Sequence, residues 1–165
     1  MGAGDSENRA IIVRPYRPGD RAAVLALAPR LTIGMPSWRD PQGCHAAVLG
    51  WVEGSLERPD LAGAVLVAED ESGAPVGFAT VTHETHWSGE RQASLGELVV
   101  DPTAEGRGVG QALVQACERW AREQGYRALA LATGAANQRA LGFYHRLGYQ
   151  DEDVKLVKLL DEPGG

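Results

Sequence analysis

Residues 96–120 read GELVVDPTAEGRGVGQALVQACERW, and the rest of the chain is organised around this stretch. Glu97 to Val100 is a run of strand-forming residues that Asp101 and Pro102 bring to an end. Gly106, Gly108 and Gly110 follow, with Arg107 among them. Val109, Leu113, Ala116, Cys117 and Trp120 then recur at helical spacing. The reading is strand, glycine-rich turn, amphipathic helix. Such a turn suits a phosphate: backbone N–H groups point outward, the helix dipole adds positive potential, and missing Cβ atoms admit the ligand.

Spacing removes two common phosphate loops. A Walker loop needs GxxxxGK[ST], and no Lys-Ser or Lys-Thr follows these glycines. The dinucleotide fingerprint needs GxGxxG, whereas the spacing here is GxGxG, with long elements ahead of it. The acidic residue at the spacing of a ribose contact, Glu123, is predicted on the helix and not at a strand end.

Working outward, Ile11 to Arg14 is a first strand, and Asp20 is placed to cap a helix that Pro29 closes. A second helix is predicted from about Cys44 to Leu56. Residues 64–68 and 76–82 form an antiparallel hairpin, and a turn at Trp87–Arg91 leads into the strand before the glycines. After the long helix, stopped by Gly125, come a strand over Arg127–Thr133, a helix over Gln138–Leu147 and a last strand over Val154–Leu160. The expected architecture is a mixed α/β domain with one central sheet. Its strand–helix–strand unit at 95–133 makes a parallel crossover. Residues 1–9 are expected to be a disordered lead-in and 10–162 a single domain.

Composition narrows the function classes. The formal charge is −6, and no basic cluster tracks a nucleic-acid backbone, so DNA and RNA are not expected partners. An acidic body favours a cationic substrate, or else serves only solubility. No apolar run reaches the ~18–20 residues of a membrane span, and a cytoplasmic location is expected. Cys44 and Cys117 lack CxxC or CxxH neighbours, and an i,i+3 pair such as His83 and His86 points to opposite faces of a strand. No metal is expected.

Glu105-Gly106-Arg107-Gly108-Val109-Gly110 resembles motif A, [Q/R]xxGxG/A, of the GCN5-related N-acetyltransferase (GNAT) superfamily, with Glu105 where Gln or Arg is usual. Asn137 to Tyr149, NQRALGFYHRLGY, resembles the family's motif B, NxxAxxFYxxxGF. The resemblance covers nearly the whole chain from Ile11 to Leu160. It implies the GNAT fold, with six to seven strands and about four helices, and acetyl-CoA as co-substrate. It also implies transfer to a primary amine by direct attack in a ternary complex.

The resemblance implies roles for particular residues. Glu105, Gly106, Arg107, Gly108, Val109, Gly110 and Gln111 would wrap the pyrophosphate. The strand before them bulges and splays in this family. Leu98, Val99 and Val100 would then offer backbone groups to the pantetheine arm and stabilise an oxyanion. Tyr144 would protonate the departing thiolate, or else be a core tyrosine beside Ala140 and Leu147. Asn137 would contact the cofactor, cap its helix, or do both. Glu97, two residues before Val99 and on the same face, is the leading base, directly or through a water, or else a structural glutamate. Glu84 and His86, on one face if their strand continues, are the reserve.

Trp38, Asp40, Trp51 and Trp87 are candidates to line the acceptor pocket, together with Glu84 and His86. The acceptor is expected to be a small cationic amine, with a protein lysine or N-terminal amine as the alternative. A non-catalytic CoA sensor is the reading from another class. Homodimers are common in the family, and a dimer is a possible state here.

Overall fold

The computed structural model describes residues 10–58 and 63–160. The expected lead-in at 1–9 lies outside the described residues.

One sheet carries the fold. Its strands are β1 (Ile12–Pro15), β2 (Ala64–Glu69), β3 (Pro75–Thr85), β4 (Arg91–Val100) and β5 (Leu129–Leu131), in the order β1-β2-β3-β4-β5. Neighbours are antiparallel except β4 and β5, which are parallel as the crossover requires. The helices are α1 (Arg21–Leu27), α2 (Pro41–Glu57), α3 (Val109–Glu123) and α4 (Gln138–Arg146). The mixed α/β architecture and the four helices agree with expectation.

The strand count does not. Five strands stand where six to seven were expected, because Val154–Leu160 pairs with nothing among the described residues and lies exposed. Its valines favour an extended backbone, but a strand also needs a partner to bond.

Two apolar layers sandwich the sheet. On one face, Val109, Leu113, Val114 and Cys117 of α3 pack against Ala79, Val81, Ala93 and Leu95. On the other, Val24 and Leu27 of α1 and Val52 and Leu56 of α2 pack against Val65, Val67, Phe78 and Val99. Cys117 is wholly buried, as a small hydrophobe would be, and its thiol is pushed up to about 12 by burial and by Glu118.

Asp20 sits at the N-cap position of α1 but does not cap it. Its carboxylate turns back to take two hydrogen bonds from the Arg14 guanidinium, at 2.8 and 2.9 Å, and one from the Arg17 N–H at 2.8 Å. A charged donor outcompetes a backbone amide for a nearly buried carboxylate. Arg14 also reaches Glu69 at 2.6 Å, which ties β1 to β2. The Arg14 hydrogen bonds hold Asp20 below the usual carboxylate range.

Asp20→Asn is therefore expected to cost about 2 kcal/mol in urea unfolding at pH 7. A depressed folded pKa gives stability above the unfolded value, and that stability is lost as pH falls through the folded one. The gap between the two proteins should thus be full at neutrality and close below about pH 4.

Candidate active site

The site begins with an irregularity in β4. Along the β3–β4 ladder Val81 faces Leu95 and Ala79 faces Leu98, so Gly96 and Glu97 together stand opposite Thr80. One extra residue in one strand is a β-bulge, which bends its strand and re-aims its side chains. A Cβ on Gly96 would lie 2.8 Å from Thr80 Oγ1, so the bulge needs glycine there. Pairing of β4 with β5 covers only Ala93–Leu95 against Leu129–Leu131. Beyond Leu95 the strands part, and the β5 side of Leu98 to Val100 is left open. The bulge and splay expected before the glycine loop are present.

Glu97 is buried, and its side chain lies on the face of β4 that carries Val99. The Thr80 hydroxyl donates to its carboxylate and accepts from its N–H at 2.9 Å. Burial raises the Glu97 pKa. Gly96, Glu97, Thr80 and Thr82 form the floor of a cleft of about 460 Å³ whose wall is the α2 face at Gly50, Trp51, Gly54 and Ser55, with Arg58 beside it. Sequence reasoning missed Thr80. The signal was the alternation of β3, which sets Thr80 on the face of buried Phe78 where only an apolar or a bonded side chain is tolerated.

The glycine loop lies at the other end of the opened strand. Gly106 and Gly108 adopt φ of +75° and +80°, the left-handed region that glycine enters freely, and nothing stands within 4 Å of where a Cβ would be. Gly108 is the N-cap of α3 and supplies no capping side chain. The first-turn N–H groups therefore have no side-chain acceptor from the cap, which is the arrangement an anion requires. Arg107 and Gln111 are exposed beside it. Gly110 packs under Phe143, whose ring would be 3.3 Å from a Cβ there, and this seats α4 on the start of α3.

Glu105, at the position where Gln or Arg is usual, is held between two guanidiniums: Arg30 at 2.6 Å and Arg139 at 3.0 Å. Its charge is neutralised beside the cradle. Asn137 caps α4, accepting from the Ala140 N–H at 3.1 Å. Tyr144 lies in the α3-face core, its ring edge-on to Phe143 and Tyr149. Its hydroxyl has no hydrogen-bond partner among the described residues, and burial, with Cys117, pushes its pKa up to about 12.

The acceptor candidates divide. Trp51 lines the cleft. Glu84, on the face of β3 shared with Thr80 and Thr82, stands farther along, bonded by Gln92 at 2.8 Å. Asp40 caps α2, taking the N–H groups of Gln42 and Gly43, and α2 begins at Pro41 instead of Cys44. Trp38 and Trp87 are exposed and away from the cleft floor.

The expectation that β3 continues through His86 is corrected. The strand ends at Thr85, and His86 closes the following turn, its N–H bonded to Glu90 O and its carbonyl to Gly89 N, each at 2.8 Å. The Ser88-Gly89 turn captures it before the ladder can extend. Among the described residues no group of three or more His, Cys, Asp or Glu is placed to hold a metal, and no helix is long and apolar enough to cross a membrane.

Comparison with known proteins fits this geometry. Residues 30–149 match the family described as "Acetyltransferase (GNAT) family". The chain is 31% identical over 158 residues to aminoglycoside N(6')-acetyltransferase type 1 of Klebsiella aerogenes, covering 92% of this chain and 96% of that one. It is 40% identical over 91 residues to mycothiol acetyltransferase of Propionibacterium freudenreichii, covering 52% of this chain. An uncharacterized N-acetyltransferase of Methanocaldococcus jannaschii is 36% identical over 87 residues, half of this chain. The match spans only 27% of the mycothiol enzyme and 38% of the archaeal protein. Among solved structures, aminoglycoside N-acetyltransferase AAC(6')-Iy in complex with CoA superposes with a TM-score of 0.70 at 22% identity, over 93% of this chain and 97% of that one.

Proposed function

This chain belongs to the acetyltransferase (GNAT) family, and from that premise we propose that it transfers the acetyl group of acetyl-CoA to a primary amine of a small cationic molecule, by direct attack in a ternary complex. The observation that carries this reading is the bulge at Gly96–Glu97. It sets a buried carboxylate on the floor of a cleft beside the point where β4 and β5 part.

The chain's groups divide the work. The α3 N-terminus and the left-handed glycines fit a pyrophosphate, and the exposed ladder of Leu98 to Val100 fits an extended amide-bearing arm. Acetyl-CoA, when bound, supplies the activated acetyl group. The Thr80 hydroxyl orients Glu97, which takes the proton from the incoming ammonium, directly or through a water. A carboxylate whose pKa is raised by burial is a better base near neutrality than an exposed one. A backbone N–H of the opened strand stabilises negative charge at the acetyl oxygen. Tyr144 serves the departing sulfur.

A cationic small amine is favoured by three observations: Glu97 in the cleft, Glu84 along the same face, and the full-length match to an aminoglycoside acetyltransferase. The test is release of free CoA thiol with a panel of amines. Amino sugars and polyamines should stimulate saturable release, and peptide amines should not. Preference for peptides would overturn the acceptor class. Binding of acetyl-CoA with no stimulation by any amine would overturn transfer itself and favour a sensor.

A further inference from the structure

Trp51, Gly54 and Ser55 of α2 and Arg58 at its C-cap stand at i, i+3, i+4 and i+7, which is one stripe of the helix surface. All four line the cleft over Glu97. The stripe runs large, small, small, large. Its two large members are about 10 Å apart along the helix axis. Between them Gly54 has no side chain, and Ser55 turns its hydroxyl back to Trp51 O at 3.1 Å. The result is a notch across the helix, with an indole at one end and a guanidinium at the other.

Packing does not account for the notch. The core side of α2 is carried by Val48, Val52 and Leu56, whereas Trp51 is 56% exposed. A glycine inside a helix costs stability against alanine, and a Cβ on Gly54 would meet nothing within 4 Å. The groups facing the notch are meanwhile unused. Glu97 is only 8% exposed; Thr80 takes one of its carboxylate oxygens, and the other has no partner among the described residues. The Thr82 hydroxyl on the cleft floor and the Arg58 guanidinium have none there either.

We propose that this notch selects the acceptor by shape, taking an amine carried on a hydroxylated ring. One face of the ring lies on the Trp51 indole, the ammonium points to Glu97, and ring oxygens meet Arg58 and Thr82. A guanidinium has five donors and no acceptor, so it suits oxygens and offers nothing to a second ammonium. A linear diamine would fill neither the notch nor those donors. The inference rests on the acetyl-transfer reading and narrows its cationic acceptor to a ring.

Calorimetry with CoA present can compare D-glucosamine with 1,4-diaminobutane. The parent should bind glucosamine at least tenfold more tightly. Gly54→Leu, which fills the notch, should shrink that ratio at least tenfold, and Trp51→Ala should shrink it by removing the stacking face. Leucine is the better helix former, so the melting temperature of Gly54→Leu should rise by about 2 to 3 °C. Lost selectivity is then not lost folding. Equal binding of the two amines by the parent, or an unaltered ratio in Gly54→Leu, would overturn the notch. A parent that acetylates 1,4-diaminobutane without preferring glucosamine would overturn the notch and leave acetyl transfer standing. A parent that prefers glucosamine but acetylates no amine would leave the notch standing and overturn transfer.

Discussion

Glu97→Gln is expected to lower kcat by about a hundredfold at pH 7, with little change in the KM for acetyl-CoA. The amide keeps the volume and the bond to Thr80 but cannot take a proton. The parent's kcat/KM should fall as the medium becomes acidic, along a limb above the ordinary carboxylate range, because burial raises the Glu97 pKa. The variant should lose that limb. An unchanged limb would pass the role to Glu84 or to a water. Stability should move the other way. An acid with a raised folded pKa stabilises the fold below its unfolded value and loses that advantage as pH rises through the folded one. The melting temperature of the parent should therefore drop relative to the variant as pH rises from about 4 through the raised folded pKa of Glu97. Lost activity without lost stability separates a base from a structural glutamate.

Tyr144→Phe should also lower kcat about a hundredfold and leave acetyl-CoA affinity nearly intact. The ring would keep its packing on Phe143 and Tyr149, and its hydroxyl has no bond among the described residues to lose. The melting temperature should not fall. The raised phenol bears on what the hydroxyl does. At about 12 it stays protonated across the working range. It is then a weaker acid than a thiol near 8.5 by about three and a half units, so complete transfer to a free thiolate runs uphill. Tyr144 serves better as a hydrogen-bond donor to sulfur while charge grows there than as the final proton source. Normal kcat with a large rise in the KM for acetyl-CoA would sink this role and leave Tyr144 a binding residue.

The glycine loop and the helices beside it were legible because their signals are local. Left-handed turns demand glycine at Gly106 and Gly108, a helix start follows at once, and Asn137 caps the next helix within its own motif. The hairpin and the crossover were legible from alternation and turn residues. Features that depend on distant partners were not. Asp20 has a capping residue's identity and position, but Arg14 on β1 takes its carboxylate. Asp40, a candidate for the acceptor pocket, has its carboxylate on the α2 backbone. Thr80 became a site residue only through the β4 register, and no pattern in β3 alone reports which strand pairs with it. Val154–Leu160 carries strand propensity but pairs with nothing among the described residues. Periodicity says what a segment can become and not where its bonds go.

Gly96 has a consequence for how such a sheet could change. Skip it in the count, and the side chains from Leu95 to Val99 still alternate correctly between the two layers, with Leu95 and Leu98 under α3 and Val99 under α1 and α2. Neither core requires the extra residue. A chain without it would have a flatter β4, free to run on against β5, and a more regular sheet with its opening closed. The extra residue therefore serves the opening beside it and not the packing of either layer.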